Sequence, residues 1–519
     1  MPTGPLTGSS KETVIRALTR GGLEYVVRLG LGFVMVPLVL GHVGPEQFGV
    51  WAVVSSVLTI GGLADLGIRT EITRRVASAW GAGDRRAAVR AAHEGTAILA
   101  VTGIAVALAG VVLAPDVARW SFPRGVAGIS QSEIVALLRA SAFLVGFGLV
   151  ADGYFSALRG VQRSDLESLC RVLGEVAGSL VTILWVLAGG GLWAVLTGLA
   201  VQLGVDYGAR FVVLRKVVPE LGLRLAGPRG LRIWVAAVGL LTISQVADVI
   251  DTQWDKLVLS RYVGSAAAAA YNVGTTLPMQ AKVLVVIPLV PLLTAAAEMA
   301  RPDGPRFRAM YDALGSASYT LAGIALGAVA VFGPAFLNLW IGEGRLPGAG
   351  LAAELSVVAV SLNILTGPLT MLVVGLGRAR LSAASAASNL VVNGVGSVLL
   401  TIHIGFRGAL YGSILGNLVG LVVLVVGARR AALLNVPPLR CGLAAGAISL
   451  VAWVAGVGRS SGWGSLVVGA TVFLAVQVVV VLLVAGPVTR ARWRGALPGR
   501  TRSARGVRSR AVPPGRPPG

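Results

Sequence analysis

The chain has 519 residues, of which 55% are hydrophobic and only 13% are charged, and its mean hydropathy is +0.79. Soluble globular domains carry about 25% charged residues. This composition therefore excludes an ordinary globular protein and indicates a polytopic membrane protein. Its apolar runs are about 20 residues long, which predicts membrane-spanning helices rather than the ten-residue alternation of a barrel. The expected fold class is all-α.

The hydropathy pattern predicts fourteen spans that follow a polar leader at residues 1–20. No Ala-x-Ala cleavage site follows the first apolar run, so we expect that run to be a retained span and not a signal peptide. The predicted spans are 21–42, 47–68, 94–114, 135–157, 168–188, 190–211, 232–257, 266–294, 315–341, 351–376, 380–402, 406–427, 441–458 and 463–486.

Basic residues accumulate in alternate loops, which predicts the orientation. With the N-terminus in the cytoplasm, cytoplasmic segments hold 35 of the 45 Lys and Arg residues and external loops hold 7. Both termini are then in the cytoplasm, and we expect the protein to reside in the cell membrane. The net charge of +22 follows from this topology and needs no nucleic acid partner. The tail at 487–519 is rich in Arg, Pro and Gly, and we expect it to be disordered. It either rests on anionic membrane lipids or serves only as a topology anchor.

The stretch from Leu40 to Arg90 joins the first two spans to an arginine-rich loop. It contains a Gly-Pro-Glu-x-Phe-Gly turn at 44–49, a Leu-x-Asp-Leu-Gly segment at 63–67 and a Gly-x-Gly-Asp segment at 81–84. This pattern resembles the polysaccharide flippase family, within the exporter superfamily that also contains the multidrug antiporters and the lipid II flippases. The resemblance covers spans 1 to 12. It implies two six-helix bundles that form a V around a central cavity, with the last two spans as an addition found in some members.

An internal repeat appears at an offset near 220 residues. Residues 43–51 match 263–271, and residues 190–198 match 408–416. Both halves start on the cytoplasmic side, so the repeat is parallel, with a pseudo-two-fold axis along the membrane normal. The predicted domains are the leader at 1–20, a first bundle at 21–211, a linker at 212–231, a second bundle at 232–427, an extra helix pair at 441–486 and the tail at 487–519.

Span 7 carries Ser244, Asp248, Asp251 and Asp255 at spacings of 4, 3 and 4. These spacings place all four on one helical face. Two of these acids facing lipid would cost about 5 to 7 kcal/mol, so we expect the face to line the cavity. We predict that Asp248, Asp251 and Asp255 couple transport to H⁺ or Na⁺. The alternative is an acidic rim near the outer interface, paired with Lys256. The family commonly carries an acidic residue at the place of Asp255.

Two cations lie deep within predicted spans, Arg28 in span 1 and Lys282 in span 8. Each either pairs with an acid or receives an anion such as a diphosphate. Several other charges lie at a similar depth towards the cytoplasm: Asp65, Asp152, Arg171, Glu175 and Asp206. They indicate either a hydrated vestibule or scattered ion pairs that hold helices together. The predicted substrate-binding residues are Arg28, Lys282, Asp65, Arg171 and Glu175.

Enzymatic functions are disfavoured because the three histidines lie far apart and no nucleotide-binding, metal-binding or nucleophile motif is present. We expect no cofactor, no metal and two unpaired cysteines, Cys170 and Cys441. The leading prediction is alternating-access transport. The resemblance implies a lipid-linked oligosaccharide as substrate, flipped from the cytoplasmic to the outer leaflet, with a glycan polymerase or glycosyltransferase as possible partners. Two alternatives are an ion-coupled antiporter of drugs or small molecules and a non-transporting membrane scaffold.

Overall fold

A computed structural model describes residues 8–65, 67–222, 240–286, 289, 292, 305–431, 433, 437–458 and 462–485. This part of the chain is helical and contains no β-strand, apart from one isolated bridge between Val126 and Ile129. Its α-helices are α1 (Gly8–Gly62), α2 (Ile68–Gly81), α3 (Arg85–Ser121), α4 (Gln131–Gly160), α5 (Ser164–Leu187), α6 (Gly191–Val217), α7 (Leu240–Tyr262), α8 (Ser265–Val286), α9 (Pro305–Ile341), α10 (Ala349–Gly375), α11 (Ala379–Ile404), α12 (Phe406–Arg430), α13 (Arg440–Val454) and α14 (Trp463–Val484).

The first two predicted spans form the single long helix α1, which is broken at Gly44 (φ 81°, ψ 168°). Its apolar part, Glu24–Asp65, has 42 residues. At about 1.5 Å per residue that length is about 63 Å, enough to cross the roughly 30 Å hydrocarbon core twice. The contacts confirm a hairpin. Arg28 pairs with Glu175 in the middle of α5, and Leu40 packs near Val186 at the end of α5, so the first limb runs parallel to α5.

The second limb of α1 runs in the opposite direction. Its start packs against the end of α3, where Val50 and Val53 meet Ala114 and Ala118. It then ends in a 3₁₀ turn at Leu63–Asp65, which leads into α2. Helix α2 was not predicted, because 14 residues are too few for a span. Its Ile68, Ile72 and Val76 lie at intervals of four residues and are buried against α3 and α4. The helix therefore packs against the side of α3 and α4 and is too short to be a membrane span.

The other twelve predicted spans correspond to α3–α14, with differences at their ends. Helices α3 and α9 each have 37 residues and start about ten residues before the predicted spans. The start of α3 is capped by Asp84, whose side chain accepts a hydrogen bond from the backbone N–H of Ala87. In the described residues, ten stretches are long and apolar enough to cross a membrane by length and composition, which confirms a multi-pass membrane protein.

The predicted repeat appears as two lobes, α1–α6 and α7–α12. Gly44 and Gly264, which are 220 residues apart, both have positive φ values of 81° and 137° at the turn between two spans. The two turns touch each other, because a Cβ added to Gly49 would lie 1.9 Å from the carbonyl oxygen of Ser265. A side chain cannot fit between them. This contact seals the lobes at the end of the molecule that the charge pattern predicts to be external.

The seal is continued by an apolar cluster that includes Leu40 and Phe48 of the first lobe and Ala269, Ala270 and Val273 of the second. Helices α13 and α14 pack against α9, outside the twelve-helix core. The all-α, two-bundle fold with an extra helix pair is thus confirmed. Residues 1–7, most of the predicted linker and the tail at 487–519 lie outside the described residues. The leader from Gly8 onward is continuous with α1.

The orientation is tested with single cysteines at exposed positions. Both native cysteines are buried, so background labelling is low. Glu46→Cys and Arg407→Cys, next to the sealed end, should react with a membrane-impermeant thiol reagent in intact cells. Arg86→Cys, at the opposite end, should react only after the cells are permeabilised. Labelling of Arg86→Cys in intact cells contradicts the predicted orientation. Gly44 and Gly83 also lie in turns at the two ends of the molecule, but they are unsuitable for this substitution because their positive φ values disfavour a residue with a side chain.

Candidate translocation site

The second lobe buries the acids of α7 among neutral hydrogen-bond donors. Asp255 is completely buried. Its carboxylate accepts hydrogen bonds from the Tyr271 hydroxyl at 2.7 Å and the Ser397 hydroxyl at 2.6 Å, and also from the Ser413 hydroxyl. These donors come from α8, α11 and α12. A buried carboxylate without such donors would be strongly unfavourable, so this set of hydroxyls is what lets Asp255 occupy the core of the lobe.

Asp251, one turn earlier on α7, is held by amides. Its carboxylate accepts hydrogen bonds from Asn393 Nδ2 at 2.7 Å and Asn389 Nδ2 at 3.2 Å. Asn389, Asn393 and Ser397 form a polar stripe on α11 at intervals of four residues. This stripe was not predicted from the sequence because its members are uncharged. The regular spacing within an otherwise apolar span is the signal that could have revealed it.

Glycines let α12 approach this stripe. A Cβ at Gly416 would lie 2.4 Å from Asn389 Oδ1, and a Cβ at Gly412 would lie 2.3 Å from the Ser397 hydroxyl. Both distances are shorter than ordinary van der Waals contact. The polar face of α11 is thus enclosed between α7 and α12, and we call Asp251, Asp255 and the polar side chains that bond to them the acidic cage.

A small cavity of about 30 Å³ adjoins the acidic cage, lined in part by Asp251, Lys282, Ser413 and Asn417. This volume is enough for a water molecule or an ion of similar size. Lys282 and one of the span 7 acids therefore line the same space. Lys256, the partner in the rim alternative, donates to Gln253 at 2.8 Å. The side chain of Asp248 lies outside the described residues.

The first lobe handles its charges differently, by pairing them with one another. Eleven side chains form one connected ion-pair network: the carboxylates of Glu24, Asp65, Asp152, Glu167, Glu175 and Asp206 and the guanidinium groups of Arg28, Arg69, Arg159, Arg171 and Arg210. They come from α1, α2, α4, α5 and α6 and from the 3₁₀ turn. The network has one carboxylate more than it has guanidinium groups.

Arg210 of α6 is the buried centre of the network, with 3% of its side chain exposed. Its Nε donates to Asp206 Oδ1 at 2.7 Å, and its Nη1 lies 3.4 Å from Asp152 and 3.5 Å from Glu167. Arg210 lies one residue before the end of the predicted span 190–211 and was counted among the loop charges, so it was not predicted as a site residue, and neither were Arg69, Arg159 and Glu167. The spacing of four residues between Asp206 and Arg210 was the available signal.

The predicted substrate-binding residues of this lobe are all members of the network. Arg28 binds Glu175 through Nε at 2.9 Å and Nη2 at 2.8 Å, and its Nη2 is 4.0 Å from Glu24, one turn earlier on α1. Arg171 bridges Glu24 and Glu167, and Asp65 pairs with Arg69. Arg28 lies at the accessible edge, with 56% of its side chain exposed.

Helix α2, outside the membrane spans, adds a second set of charges at the same end. Arg74 and Arg75 both bind Glu71, with Arg Nε to carboxylate distances of 2.7 Å. The hydrogen bond from Arg74, reinforced by Arg75, lowers the pKa of Glu71 to about 2. Glu71 therefore stays ionised throughout the physiological pH range and holds the two arginines against α2.

The described hydrogen bonds between the lobes are unevenly distributed. Near the sealed end, the Ser260 hydroxyl donates to the Ser121 carbonyl at 3.0 Å, Arg261 donates to the Trp120 carbonyl at 3.1 Å, and Trp340 donates to the Phe33 carbonyl at 2.7 Å. Towards the other end, the Tyr25 hydroxyl donates to Gln280 Oε1 at 3.0 Å and joins α1 to α8.

The two cations predicted to hold an anion lie on either side of this α1–α8 seam. Arg28 follows Tyr25 by three residues and so shares its face of α1. Lys282 follows Gln280 by two residues and lines the small cavity inside the second lobe. Arg28 is not among the residues that line that cavity. The structure thus groups Lys282 with Asp251, and Arg28 with Glu175.

Two helical lobes that bury charged groups at membrane depth and contact each other at one end define a two-lobed, multi-pass membrane protein. Residues 22–295, more than half of the chain, match the family model described as polysaccharide biosynthesis protein, and the chain belongs to this family. The resemblance seen in residues 40–90 is confirmed.

A curated relative is the succinoglycan biosynthesis transport protein ExoT of Rhizobium meliloti (strain 1021), 27% identical over 262 residues. The match covers 50% of this chain and 49% of that protein, so the chain spans about half the length of this relative. Among solved structures, the inward closed conformation of the lipid II flippase MurJ is similar, with a TM-score of 0.69, 10% identity and coverage of 92% of this chain and 99% of that one.

An inward-facing multidrug resistance MATE family transporter of the MOP superfamily is also similar, with a TM-score of 0.61, 17% identity and coverage of 78% of this chain and 97% of that one. At these identities the two solved structures show a shared fold. The fold that the resemblance implies is thereby confirmed.

Arg210 gives a test of the ion-pair network. Arg210→Ala removes the buried cation and leaves Asp206 and Glu167 without it, which should destabilise the protein by about 3 to 5 kcal/mol. Arg119→Ala is the matched control, because its pair with Asp116 is about 70% exposed on both sides and should contribute about 1 kcal/mol or less. Thermal unfolding of the purified proteins in detergent measures both. Equal unfolding temperatures for Arg210→Ala and wild type contradict a structural role of the network.

Proposed function

We propose that the chain moves a polyprenyl-diphosphate-linked oligosaccharide from the cytoplasmic to the outer leaflet by alternating access of its two lobes. The observation that carries this proposal is the position of Arg28, half-exposed beside the α1–α8 seam, while the opposite end of the molecule is sealed by the Gly49–Ser265 contact. A guanidinium at that place is suited to a diphosphate, because its planar fork binds phosphate oxygens in pairs.

The comparisons support this substrate class. The family is described by polysaccharide biosynthesis, one relative is a succinoglycan transport protein, and one similar fold is a lipid II flippase. In the proposed cycle, the head group and diphosphate pass between the lobes while the lipid tail stays in the bilayer. A glycan polymerase or glycosyltransferase would act on the same lipid-linked material before or after this step.

The neighbours of Arg28 suggest how the anion is received. In the structure its guanidinium is bound to Glu175, whose Oε1 accepts both contacts. An incoming diphosphate would compete with this carboxylate for the same N–H groups. We assign Glu175, Arg171 and Asp65 to positioning roles, because each is already engaged by charged groups of the protein. Arg28 and Lys282 remain the residues assigned to the anionic part of the substrate, one from each lobe.

The acidic cage is proposed as the site of ion coupling. Asp251 and Lys282 line the small cavity, whereas Asp255 is enclosed by hydroxyl donors. We therefore assign H⁺ or Na⁺ exchange to Asp251 and the organisation of the cage to Asp255. Oxygen atoms of carboxylate, hydroxyl and amide groups suit a hard monovalent cation as well as a proton, so both ions remain candidates. Asp248 retains its predicted role as a third coupling acid.

The Arg28 role is tested in a strain whose single copy of the gene is the variant. Arg28→Ala should cause the polyprenyl-linked glycan intermediate to accumulate on the cytoplasmic face. Arg28→Lys should accumulate less, because it keeps a point charge but loses the paired contact. For Lys282, the arginine variant should be tolerated and the alanine variant should fail. Arg119→Ala, on an exposed pair, is the control.

Normal clearance of the intermediate by both alanine variants, at wild-type protein levels, rules out the anion-binding role. If wild type leaves the intermediate uncleared but exports a cationic dye, and Arg28→Ala exports the dye equally well, the antiporter alternative is supported instead.

The coupling role is tested with Asp251→Asn, which keeps the size of the side chain and removes its charge. Clearance of the intermediate should become insensitive to collapse of the proton or sodium gradient and fall to a residual rate. Asp116→Asn, an exposed acid on α3, should behave as wild type. Gradient-dependent clearance at the normal rate in Asp251→Asn leaves the acidic cage with a structural role alone.

A further inference from the structure

The extra helix pair creates an apolar groove that the proposed transport path does not use. A cavity of about 650 Å³ lies between α9, α10 and α13. Its walls include Leu326 of α9, Val358 and Leu365 of α10, and Leu443 and Leu450 of α13. The lining of α13 extends from Leu439 to Trp453, which is about 21 Å along the helix axis. The groove therefore runs through more than one leaflet of the bilayer.

One end of the groove meets a second cavity of about 740 Å³, lined by the ends of α9 and α13 and the start of α10. Glu354 and Trp453 line both cavities, so the two spaces adjoin at these residues. The second cavity also contains Asn338 and Glu343. It lies at the end where α9 finishes and α10 begins, the same end as the seal between the lobes, which is predicted to be external.

The combined site has a distinct charge pattern. Two carboxylates, Glu343 and Glu354, line the second cavity. The described residues that line either cavity include no Lys, Arg or His. Glu354 is half-buried within α10, and its carboxylate accepts a hydrogen bond from Trp453 Nε1 at 2.9 Å. An indole is a neutral donor and leaves the negative charge in place. A cation held beside Glu354 would be favoured by this arrangement.

We propose that this site binds one outer-leaflet lipid with an amine head group, of the phosphatidylethanolamine class. One acyl chain would occupy the groove between α10 and α13, and the ammonium group would sit beside Glu354 and Glu343. Trp453 lies at the junction, where the amphipathic indole is suited to the interface between hydrocarbon and head groups. The lipid would link the extra helix pair to the second lobe.

The dimensions and charges argue against two other occupants. A transmembrane helix is about 10 Å wide and 30 Å long, a volume on the order of 2,000 Å³, which is well above that of the groove. Both cavities fall within the roughly 300–1,000 Å³ of small-molecule sites. The diphosphate of a polyprenyl-linked substrate would be repelled by two carboxylates. The site is therefore separate from the path proposed for the transported glycan.

The chain offers a matched pair of glycines for the test. A Cβ at Gly446, in the wall of the groove, meets no atom within 4 Å, so a leucine there fills the groove without a clash at its Cβ. Gly464 on α14 has the same open surroundings and is not among the groove residues. Gly446→Leu is therefore the occluding variant and Gly464→Leu its control. Glu354→Gln removes the charge and keeps the oxygen that accepts from Trp453.

Native mass spectrometry of the full chain in detergent, with added dioleoyl phosphatidylethanolamine or dioleoyl phosphatidylglycerol, measures retained lipid. Wild type should retain several-fold more of the amine lipid. Glu354→Gln should lose that preference, and Gly446→Leu should retain several-fold less of either lipid, with Gly464→Leu unchanged. Thermal unfolding in lipid-free detergent confirms that each variant is folded.

Three results overturn the proposal. The first is equal retention of the two lipids by wild type, and the second is unchanged retention in Gly446→Leu. The third is a dimer of the full chain that Gly446→Leu dissociates, which makes the groove an interface between two copies.

Discussion

Hydrocarbon offers no partner to a charge or a hydrogen-bonding group, and this constraint shapes both lobes. Each lobe places ionisable side chains at membrane depth, and each must compensate them from within. In the first lobe, arginines from α1, α2, α5 and α6 approach carboxylates across helix interfaces, with Arg210 at the buried centre. The helices of that lobe are thereby fixed to one another at the end away from the seal.

The second lobe satisfies the same constraint largely with neutral donors. Hydroxyls and amides on α8, α11 and α12 donate hydrogen bonds to Asp251 and Asp255. A carboxylate paired with arginine has little reason to bind a proton or a metal ion, whereas one held by neutral donors keeps its affinity for cations. The two lobes are related by a repeat, yet one pairs its carboxylates mainly with arginines and the other surrounds them with hydroxyl and amide donors.

Much of the architecture could be predicted from the sequence, because hydropathy and loop charge depend on local composition. The repeat was visible because Gly44 and Gly264 occupy equivalent turns. Spacing alone placed Asp251 and Asp255 on one face of a span. Ion-pair partners were harder to predict. Arg210 and Glu167 are far apart in the chain, and both lie at or beyond the ends of predicted spans, where basic and acidic residues are attributed to the loops. Uncharged partners such as Asn393 do not stand out in a hydropathy profile. The apolar groove beside α13 depends on the packing of three helices that are separate in the sequence.

The contact between Gly49 and the Ser265 carbonyl places backbone against backbone where the two lobes meet. In the proposed alternating-access cycle this joint is the fulcrum of a lever, and its long arm is the first lobe with the first limb of α1. Sixteen residues separate Arg28 from Gly44, or about 24 Å of helix. A rotation of about 15°, the size seen when subunits turn against each other, would displace Arg28 by about 6 Å. A small tilt at a rigid joint is then enough to part Tyr25 of the first lobe from Gln280 of the second.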